Sequence, residues 1–525
     1  MTGADLILAG GRVLTMDAAL PYASTVVVRG GEIVHVGEDA GGWRAAETVE
    51  LRGRVVLPGL NDSHLHGVGY GLHRPPFCLD VALESIAAVR AEVARAVRQA
   101  RPGQWIRGIG WHPGRLAECV ADPGRQPVAA DLDEVAPEHP VLLQDFSGHA
   151  VWVNSLALEL AGVESDGGVL HHADQALVQR AVPHPEGGLS AVARDMVAEL
   201  NRLGITSFTE PGLGPGGEEA FAGGMGTGAL EAYAALARSG ELTARVSVLG
   251  LPSAMSGASA ADTVAWLAAP PDLAGISPRL LRLLGVKVFA DGIPPSETAW
   301  MREPYPSGGH GALCTHGAST GERVAELAEI VRLVHEAGWQ LGVHVVGSRG
   351  VDAVAEALAA AQDRHPRKDA RHYVIHGQFA SEQALARLAA LGCGINLQPV
   401  LQAMEAGTTR ALFGEALVRT EWPARSAVEA GVVTACSSDA PVTRPDWRAG
   451  VAALVAREGE GLDLEAALRT YTIAPAWQDH AETWKGSITP GKVADLCVSA
   501  ATSPHELTEA PVELTLFGGR VVHGG

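Results

Sequence analysis

A His-Leu-His sequence at residues 64–66 is the first pattern that could carry chemistry. It follows the apolar run 55–58, which predicts a short strand. In an extended backbone, residues i and i+2 point the same way, so His64 and His66 can both reach one metal ion. The chain has 20 histidines in 525 residues, and roughly one such pair is expected by chance. Two exposed loop histidines therefore remain an alternative.

Further residues of metal-ligand type stand at the ends of other predicted strands, namely Lys287, His344, His376 and Asp439. In a barrel of parallel strands, the C-terminal strand ends converge on one face, where active sites form. Taken singly, His344 or His376 could be a hydrogen-bonded core histidine, and Asp439 could cap a helix. A buried lysine is harder to explain, because an unpaired ammonium is costly in an apolar strand. Together with the histidine pair, these residues predict a metal site.

The elements that must position these residues alternate along the chain. Short apolar runs are followed by helical stretches rich in Ala, Leu, Arg and Glu, a pattern that indicates an α/β fold built as a (β/α)8 TIM-like barrel. Near-continuous Val, Ile and Leu content favours strands that are buried on both faces. The eight predicted strands are 55–58, 205–209, 245–250, 283–290, 340–346, 373–376, 394–397 and 432–436.

Three regions are predicted around this barrel. Short β-branched runs with Gly-Gly turns indicate a β-meander in residues 1–56, and with 485–525 they predict a composite β-sandwich from both termini. The barrel would comprise 57–71 and 190–484. About 150 residues separate the first two barrel strands, whereas a βα step needs about 30. Residues 72–189 are therefore predicted to be an inserted α/β subdomain.

Composition limits the classes of function. A hydrophobic content of 47% with 19% charged residues predicts a globular chain, and a formal charge of −20 argues against a nucleic-acid partner. The sequence lacks a secretory signal and an apolar run of about 18 residues, so no membrane association is expected. Six widely spaced cysteines indicate reduced thiols. We expect a cytoplasmic enzyme with a small-molecule substrate.

Longer segments carry a family resemblance, at 57–66, 148–155, 204–207, 286–292, 303–305, 344 with 347 and 351–354, 371–376, 438–439 and 486–496. Over nearly the whole chain the sequence resembles the amidohydrolase superfamily, specifically the YtcJ-like branch that includes N-substituted formamide deformylases. The resemblance implies a (β/α)8 barrel with a composite β-sandwich, and members often form homodimers.

The resemblance also implies metal ligands by position. His64 and His66 would bind the more buried ion, and His344 and His376 the second ion. Lys287 would be carboxylated on its amine, as N6-carboxylysine, and bridge the two. Zinc is the first choice for this ligand set, and manganese or iron would also fit.

Asp439 would contact the metal and the attacking water, and act as the general base, with Lys287 and His376 as further catalytic residues. The implied reaction is hydrolysis of a C–N bond in an amide or N-substituted formamide by metal-activated water. The same site could instead serve carbamate, lactone or cyclic amide hydrolysis, or decarboxylation. An inactive barrel that acts as a scaffold is a further alternative, although all six ligand positions are filled.

Four other residues are candidates for substrate binding. His149 could reach the substrate or form an inter-domain hydrogen bond. Trp111 and His112 follow a predicted strand and could line the pocket or lie on the surface. Asp291 could contact substrate or only orient the loop after Lys287.

The sequence departs from the branch in three places. Glu297 stands where the loop after residue 292 usually has a basic residue, and Ser348 replaces an acid. Residues 400–402 lack a histidine that often follows the Gln-Pro pair at 398–399. These differences put the substrate in doubt and leave the metal ligands in place.

Overall fold

The computed structural model describes residues 2–122, 124–145, 150–165, 167–183, 185 and 187–524. Two compact units are present, one formed by Met1–Gly67 with Arg194–Gly525 and the other by Val68–Ala193. Within the described ranges, no helix combines the length and apolar character needed to cross a membrane.

The strands, in chain order, are β1 Thr2–Ala9, β2 Arg12–Leu14, β3 Tyr22–Ala23, β4 Thr25–Arg29, β5 Glu32–Gly37, β6 Trp43–Glu50, β7 Val55–Pro58, β8 Leu60–Asp62, β9 Leu79–Asp80, β10 Ile106–Trp111, β11 Val141–Asp145, β12 Ala150–Val153, β13 Val169–His171, β14 Ile205–Leu213, β15 Arg245–Gly250, β16 Leu281–Phe289, β17 Gln340–Val345, β18 Tyr373–His376, β19 Gly394–Leu397, β20 Val433–Cys436, β21 Leu496–Ser499, β22 Val512–Phe517 and β23 Arg520–His523. The α-helices are α1 Gly67–Leu72, α2 Ile86–Val97, α3 Ala117–Ala121, α4 Ala129–Asp133, α5 Ser155–Ala161, α6 His172–Ala181, α7 Gly188–Arg202, α8 Thr227–Ser239, α9 Ala260–Ala268, α10 Thr320–Glu336, α11 Ser348–Arg364, α12 Glu382–Ala390, α13 Pro399–Phe413, α14 Glu415–Thr420, α15 Ala424–Glu429, α16 Trp447–Ala456, α17 Leu464–Arg469 and α18 Ile473–Gln478.

The larger unit contains an eight-stranded sheet in the order β8-β14-β15-β16-β17-β18-β19-β20, with every neighbouring pair parallel. Helices follow most of these strands, and the strands are buried almost throughout. The predicted (β/α)8 barrel is therefore confirmed. Its strands are buried on both faces, as their continuous Val, Ile and Leu content requires.

The first barrel strand differs from the prediction. Val55–Pro58 lies in a terminal sheet, parallel to β2 and antiparallel to β21, and Leu60–Asp62 is the barrel strand. Gly59 lies between the two, and a Cβ there would stand 2.1 Å from Thr206 Oγ1. The chain passes from one sheet to the other at a point where only glycine fits. The prediction merged two adjacent apolar runs that belong to different sheets.

Residues 470–471 help to close the barrel between its first and last strands. Asn61 N donates to Tyr471 O at 2.9 Å, and Cys436 N donates to Thr470 O at 2.8 Å. These bonds use the edge groups of β8 and β20 that would otherwise lack partners. We call the junction between β8 and β20 the seam.

Both termini contribute to two further sheets of the larger unit. One has the order β5-β4-β1-β6 and the other β23-β22-β21-β7-β2-β3. Buried residues of both sheets form one apolar cluster, including Leu8, Val26, Leu496 and Leu516, which is the packing of a β-sandwich. The N-terminal strands do not form the predicted meander, because β1 and β2 belong to different sheets.

The Val68–Ala193 unit extends slightly beyond the predicted insertion of 72–189. It is built on a five-stranded sheet with the order β13-β12-β11-β10-β9. Strands β9, β10 and β11 are parallel, and β12 and β13 are antiparallel to their neighbours. Apolar side chains from the sheet and from α2 form its core, including Val89, Leu143 and Trp152.

Candidate metal centre

Backbone hydrogen bonds join two ligand-bearing segments at the C-terminal end of the seam. Asp439 N donates to His64 O, and His66 N donates to Ala440 O, each at 2.9 Å. The backbone of Asp439 has a φ of 55°, a left-handed conformation that is costly for a residue with a side chain. These bonds fix Asp439 beside the two imidazoles despite that cost.

His64, His66 and Asp439 form a compact buried cluster. Asp439 Oδ1 lies 3.2 Å from His64 Nε2 and 3.5 Å from His66 Nε2, and one ligand atom of each residue lies within 4.8 Å of the others. The alternative of exposed loop histidines is wrong, because these side chains are buried. Asp439 is not a helix cap either, since the next helix, α16, has Asp446 as its N-cap.

The cluster fits a divalent metal ion by its donor chemistry. Nδ1 of His64 and Nδ1 of His66 are buried, and neither hydrogen-bonds any described residue. Burial lowers the pKa of both imidazoles, most strongly for His64, so both rings are neutral and each offers a nitrogen lone pair. Burial opposes ionisation of Asp439, but the imidazoles around it outweigh burial and hold its pKa well below the ordinary value. Two neutral imidazoles with one carboxylate form a ligand set that suits zinc.

Glu210 stands behind His66, and the sequence interpretation missed it. Glu210 Oε1 lies 3.7 Å from His66 Nδ1, while Oε2 accepts hydrogen bonds from Gly67 N at 2.8 Å and from the Tyr233 hydroxyl at 2.9 Å. Glu210 directly follows the predicted strand 205–209, and this strand-end position was the available signal. In the structure its carboxylate is fully buried in β14. Its position suits a residue that orients the His66 ring.

His344, His376 and Lys287 lie next to this cluster. The ring centroids of His344 and His376 are 4.6 Å apart, and His376 is 5.5 Å from His64. Lys287 Nζ lies 4.7 Å from the Phe289 ring, which is itself 4.9 Å from His344. The structure thus brings the predicted ligands to one end of the barrel.

Burial controls the charge of these three residues. It lowers the pKa of Lys287 to about 7 and that of His376 to about 4, and it holds the pKa of His344 well below the ordinary value. In the described part of the chain, Lys287 Nζ has neither a hydrogen bond nor an ion pair. A partly neutral amine in this position can react as a nucleophile.

An apolar wall formed by Phe221 and Phe289 borders the cluster. The Phe221 ring lies 5.1 Å from the His66 ring, and both phenylalanines pack with Met225 and Leu251. The backbone φ of Phe221 is 47°, so its aromatic side chain is held there at a conformational cost. No periodic pattern in the sequence indicated this wall.

Asp291 is bonded to the loop after Lys287. Orienting this loop was one of the two roles predicted for it, and contact with substrate was the other. Its carboxylate accepts backbone hydrogen bonds from Val346 at 2.8 Å, Gly347 at 2.9 Å and Trp300 at 2.8 Å. Gly347 is the N-cap of helix α11, where a carboxylate is favoured by the helix dipole. All of its described bonds are to backbone groups.

The other substrate-binding candidates lie in the Val68–Ala193 unit. Trp111 is a core residue of that unit, and its indole donates to Leu143 O at 2.8 Å and packs edge-on against Trp152. This corrects the pocket or surface position predicted for Trp111, because a tryptophan at a strand end can pack inward as readily as outward. His112 is exposed, and its role in substrate binding stays a prediction. His149 lies outside the described residues.

A parallel eight-stranded barrel with histidine, lysine and aspartate at its C-terminal strand ends is the arrangement of metal-dependent hydrolases of the amidohydrolase type. The sequence profile of the amidohydrolase family matches residues 47–523, and the chain belongs to this family.

Individual relatives give the same family assignment. The chain is 26% identical over 558 residues to YtcJ of Bacillus subtilis, which is named an amidohydrolase, with 98% of each chain covered. It is 28% identical over 547 residues to the N-substituted formamide deformylase of Arthrobacter pascens, with 94% of this chain and 93% of that protein covered. An uncharacterized metal-dependent hydrolase from Pyrococcus furiosus has the same fold, with a TM-score of 0.73, 22% identity, and coverage of 95% and 99%. The predicted YtcJ-like branch is confirmed.

Proposed function

We propose that the protein hydrolyses a C–N bond, in an amide or N-substituted formamide of a small molecule. The observation that carries this proposal is the buried cluster of His64, His66 and Asp439 at the C-terminal end of the barrel, whose ligand atoms lie within 4.8 Å of one another. The likeness to a formamide deformylase supports the choice of bond.

Six residues would hold the metal: His64, His66, Lys287, His344, His376 and Asp439. A bound divalent ion, with zinc as our first choice, lowers the pKa of a coordinated water and polarises a carbonyl group. The proximity of His344 to His376 supports a second ion beside the first.

Asp439 would act as the general base. Its low pKa keeps the carboxylate ionised at neutral pH, so an oxygen of Asp439 can accept a proton from the attacking water. The same oxygen can then return the proton to the leaving nitrogen, which departs as a neutral amine. The backbone bond from Asp439 N to His64 O would hold the Asp439 carboxylate beside the two imidazoles.

Lys287 would be carboxylated on Nζ. Because burial lowers its pKa to about 7, a large fraction of the side chain is a neutral amine at physiological pH. A neutral amine adds to carbon dioxide and releases one proton, which gives a carbamate with an anionic oxygen. That product would replace an amine that has no hydrogen bond or ion pair among the described residues, and whose ammonium form contacts only the Phe289 ring, with an anionic metal ligand.

Two measurements test this function. The first is metal analysis of the protein after expression with zinc, and the second is a panel of N-formyl and N-acyl amines assayed for released amine. We expect bound zinc and turnover of at least one panel member. Protein without metal would contradict the proposed metal site and support the scaffold alternative. Metal-loaded protein that releases no amine from any member would contradict the amidase assignment, and turnover of carbamates, lactones or cyclic amides would then identify the alternative hydrolysis.

A further inference from the structure

A buried chain of amides and hydroxyls lies behind His376. His376 Nδ1 is 2.6 Å from Gln398 Oε1. Gln398 Nε2 donates to Asn396 Oδ1 at 2.7 Å and to Ser437 Oγ at 2.8 Å. Gln398 and Asn396 are fully buried, so bulk solvent does not reach these groups, and both amide hydrogens of Gln398 have partners.

The backbone carbonyl of Ser63 determines which group donates and which accepts along this hydrogen-bond chain. Ser63 O can only accept hydrogen bonds, and it lies 3.1 Å from Asn396 Nδ2. Asn396 must therefore point its amino group at Ser63 and its oxygen at Gln398. Gln398 must in turn point its amino group at Asn396, which leaves Oε1 to face His376. Gln478 Nε2 donates to the same Ser63 carbonyl at 3.1 Å and strengthens the anchor.

The orientation of Gln398 determines the tautomer of His376. An amide oxygen accepts and cannot donate, so the imidazole proton lies on Nδ1. The lone pair of the neutral ring is then on Nε2. This hydrogen-bond chain also connects the segments that carry His376, His64 and Asp439. Ser63 precedes His64, and Ser437 lies two residues before Asp439.

We propose that Gln398 is a positioning residue that holds His376 in the Nδ1–H tautomer, through a hydrogen-bond chain anchored on the Ser63 carbonyl, and so leaves Nε2 available to a divalent cation. This inference rests on the proposed metal site. Gln398 would act on metal affinity through its Oε1 atom, which contacts His376 Nδ1. Its two N–H groups bond Asn396 and Ser437, and their contribution to stability is a separate effect.

The zinc affinity of three variants tests the proposal by chelator competition with the full chain. Gln398→Met removes the acceptor and both donors at similar volume, and we expect zinc binding to weaken by about 10–100-fold. Gln398→Glu keeps an acceptor for Nδ1–H and loses the donors. We expect its zinc affinity to stay within about threefold of the wild-type value or to rise, because a carboxylate partner makes the imidazole a stronger ligand.

The control is Gln362→Met, which removes a part-buried amide near the end of α11. Gln362 Nε2 donates to Arg367 O, and Gln362 Oε1 accepts from Arg367 N, so its loss should lower the thermal midpoint without changing zinc affinity. Wild-type affinity in Gln398→Met, or equal weakening in Gln398→Glu and Gln398→Met, would overturn the proposal. If the wild-type protein binds no zinc, the metal site fails first and this inference falls with it.

A second measurement needs no variant of Gln398. The ¹⁵N NMR shifts of histidine-labelled wild-type protein without metal report which ring nitrogen carries the proton, and the His376 signals are assigned by their loss in His376→Gln. A proton on Nδ1 supports the proposal. A proton on Nε2 overturns it, whatever the variants do to stability.

Discussion

Asp439 and Lys287 share one buried site but carry charge differently at neutral pH. Burial opposes ionisation of Asp439, yet the imidazoles around it hold its pKa well below the ordinary value. Burial lowers the pKa of Lys287 to about 7, and no described carboxylate forms an ion pair with it. The site therefore holds an ionised carboxylate next to a partly neutral amine. These are the protonation states that proton acceptance and reaction with carbon dioxide require.

Replacing Asp439 with asparagine tests the base directly. Asp439→Asn keeps the side-chain volume and the backbone bond to His64 O but removes the proton acceptor. We expect kcat to fall by at least about 100-fold while circular dichroism and the thermal midpoint stay close to wild type. Asp363→Asn, at an exposed position of α11, is the matched control and should keep full activity. An Asp439→Asn protein with wild-type kcat would exclude the assigned role.

At the level of elements, the proposed ligands were easier to predict than the contacts around them. Lys287, His344 and His376 stand at the ends of apolar runs, so residue type and position were sufficient. Glu210 contacts His66 and Gln398 contacts His376 from other segments of the chain, and no local pattern reports such contacts. The first barrel strand was misplaced for a similar reason, because β7 pairs with β2 and with the distant strand β21, and not with a barrel strand.

Asp291 shows how one carboxylate positions a whole element. Its carboxylate accepts hydrogen bonds from three backbone N–H groups, in the loop and at the start of α11. Asp291→Asn replaces one acceptor oxygen with an amino group that faces these donors, so at least one buried N–H loses its partner. We expect the free energy of unfolding to fall by about 1–3 kcal/mol, as measured by urea denaturation. Asp363→Asn, on the same helix, should change it by less than about 0.5 kcal/mol, and an equal effect of the two variants would contradict this account.

At the scale of the whole molecule, two buried histidines outside the metal centre link stability to pH. Leu341 N donates to His372 Nδ1 at 2.9 Å, so His372 carries its proton on Nε2 and donates to His335 Nδ1 at 2.8 Å. His335 Nε2 then donates to His365 O at 2.7 Å. Every ring nitrogen has a partner only while both rings are neutral.

Protonation of either ring would break one of these hydrogen bonds. Burial lowers the pKa of both His335 and His372. Their folded-state pKa values lie below the unfolded value of about 6.5. The unfolded chain therefore binds more protons below that pH, and stability is kept above it and lost as the pH falls.

His372→Gln should reduce this acid sensitivity. A glutamine can accept from Leu341 N and donate to His335, but it does not titrate. Between pH 7 and 5.5, we expect the free energy of unfolding of the variant to fall less steeply than that of wild type, by up to about 1.4 kcal/mol per pH unit. Urea denaturation followed by tryptophan fluorescence at both pH values gives the comparison. Parallel pH dependences would show that His372 is not kept neutral by the fold.

The pairing of β7 with β21 has a consequence for how the protein is made. Strand β7 leaves the ribosome long before its antiparallel partner β21, which is about 440 residues later in the chain. At a synthesis rate of about 5–20 residues per second, β7 waits roughly 20–90 s for that partner. The apolar edge of β7 stays uncovered during that time, so we expect the nascent chain to depend on chaperones until β21 emerges.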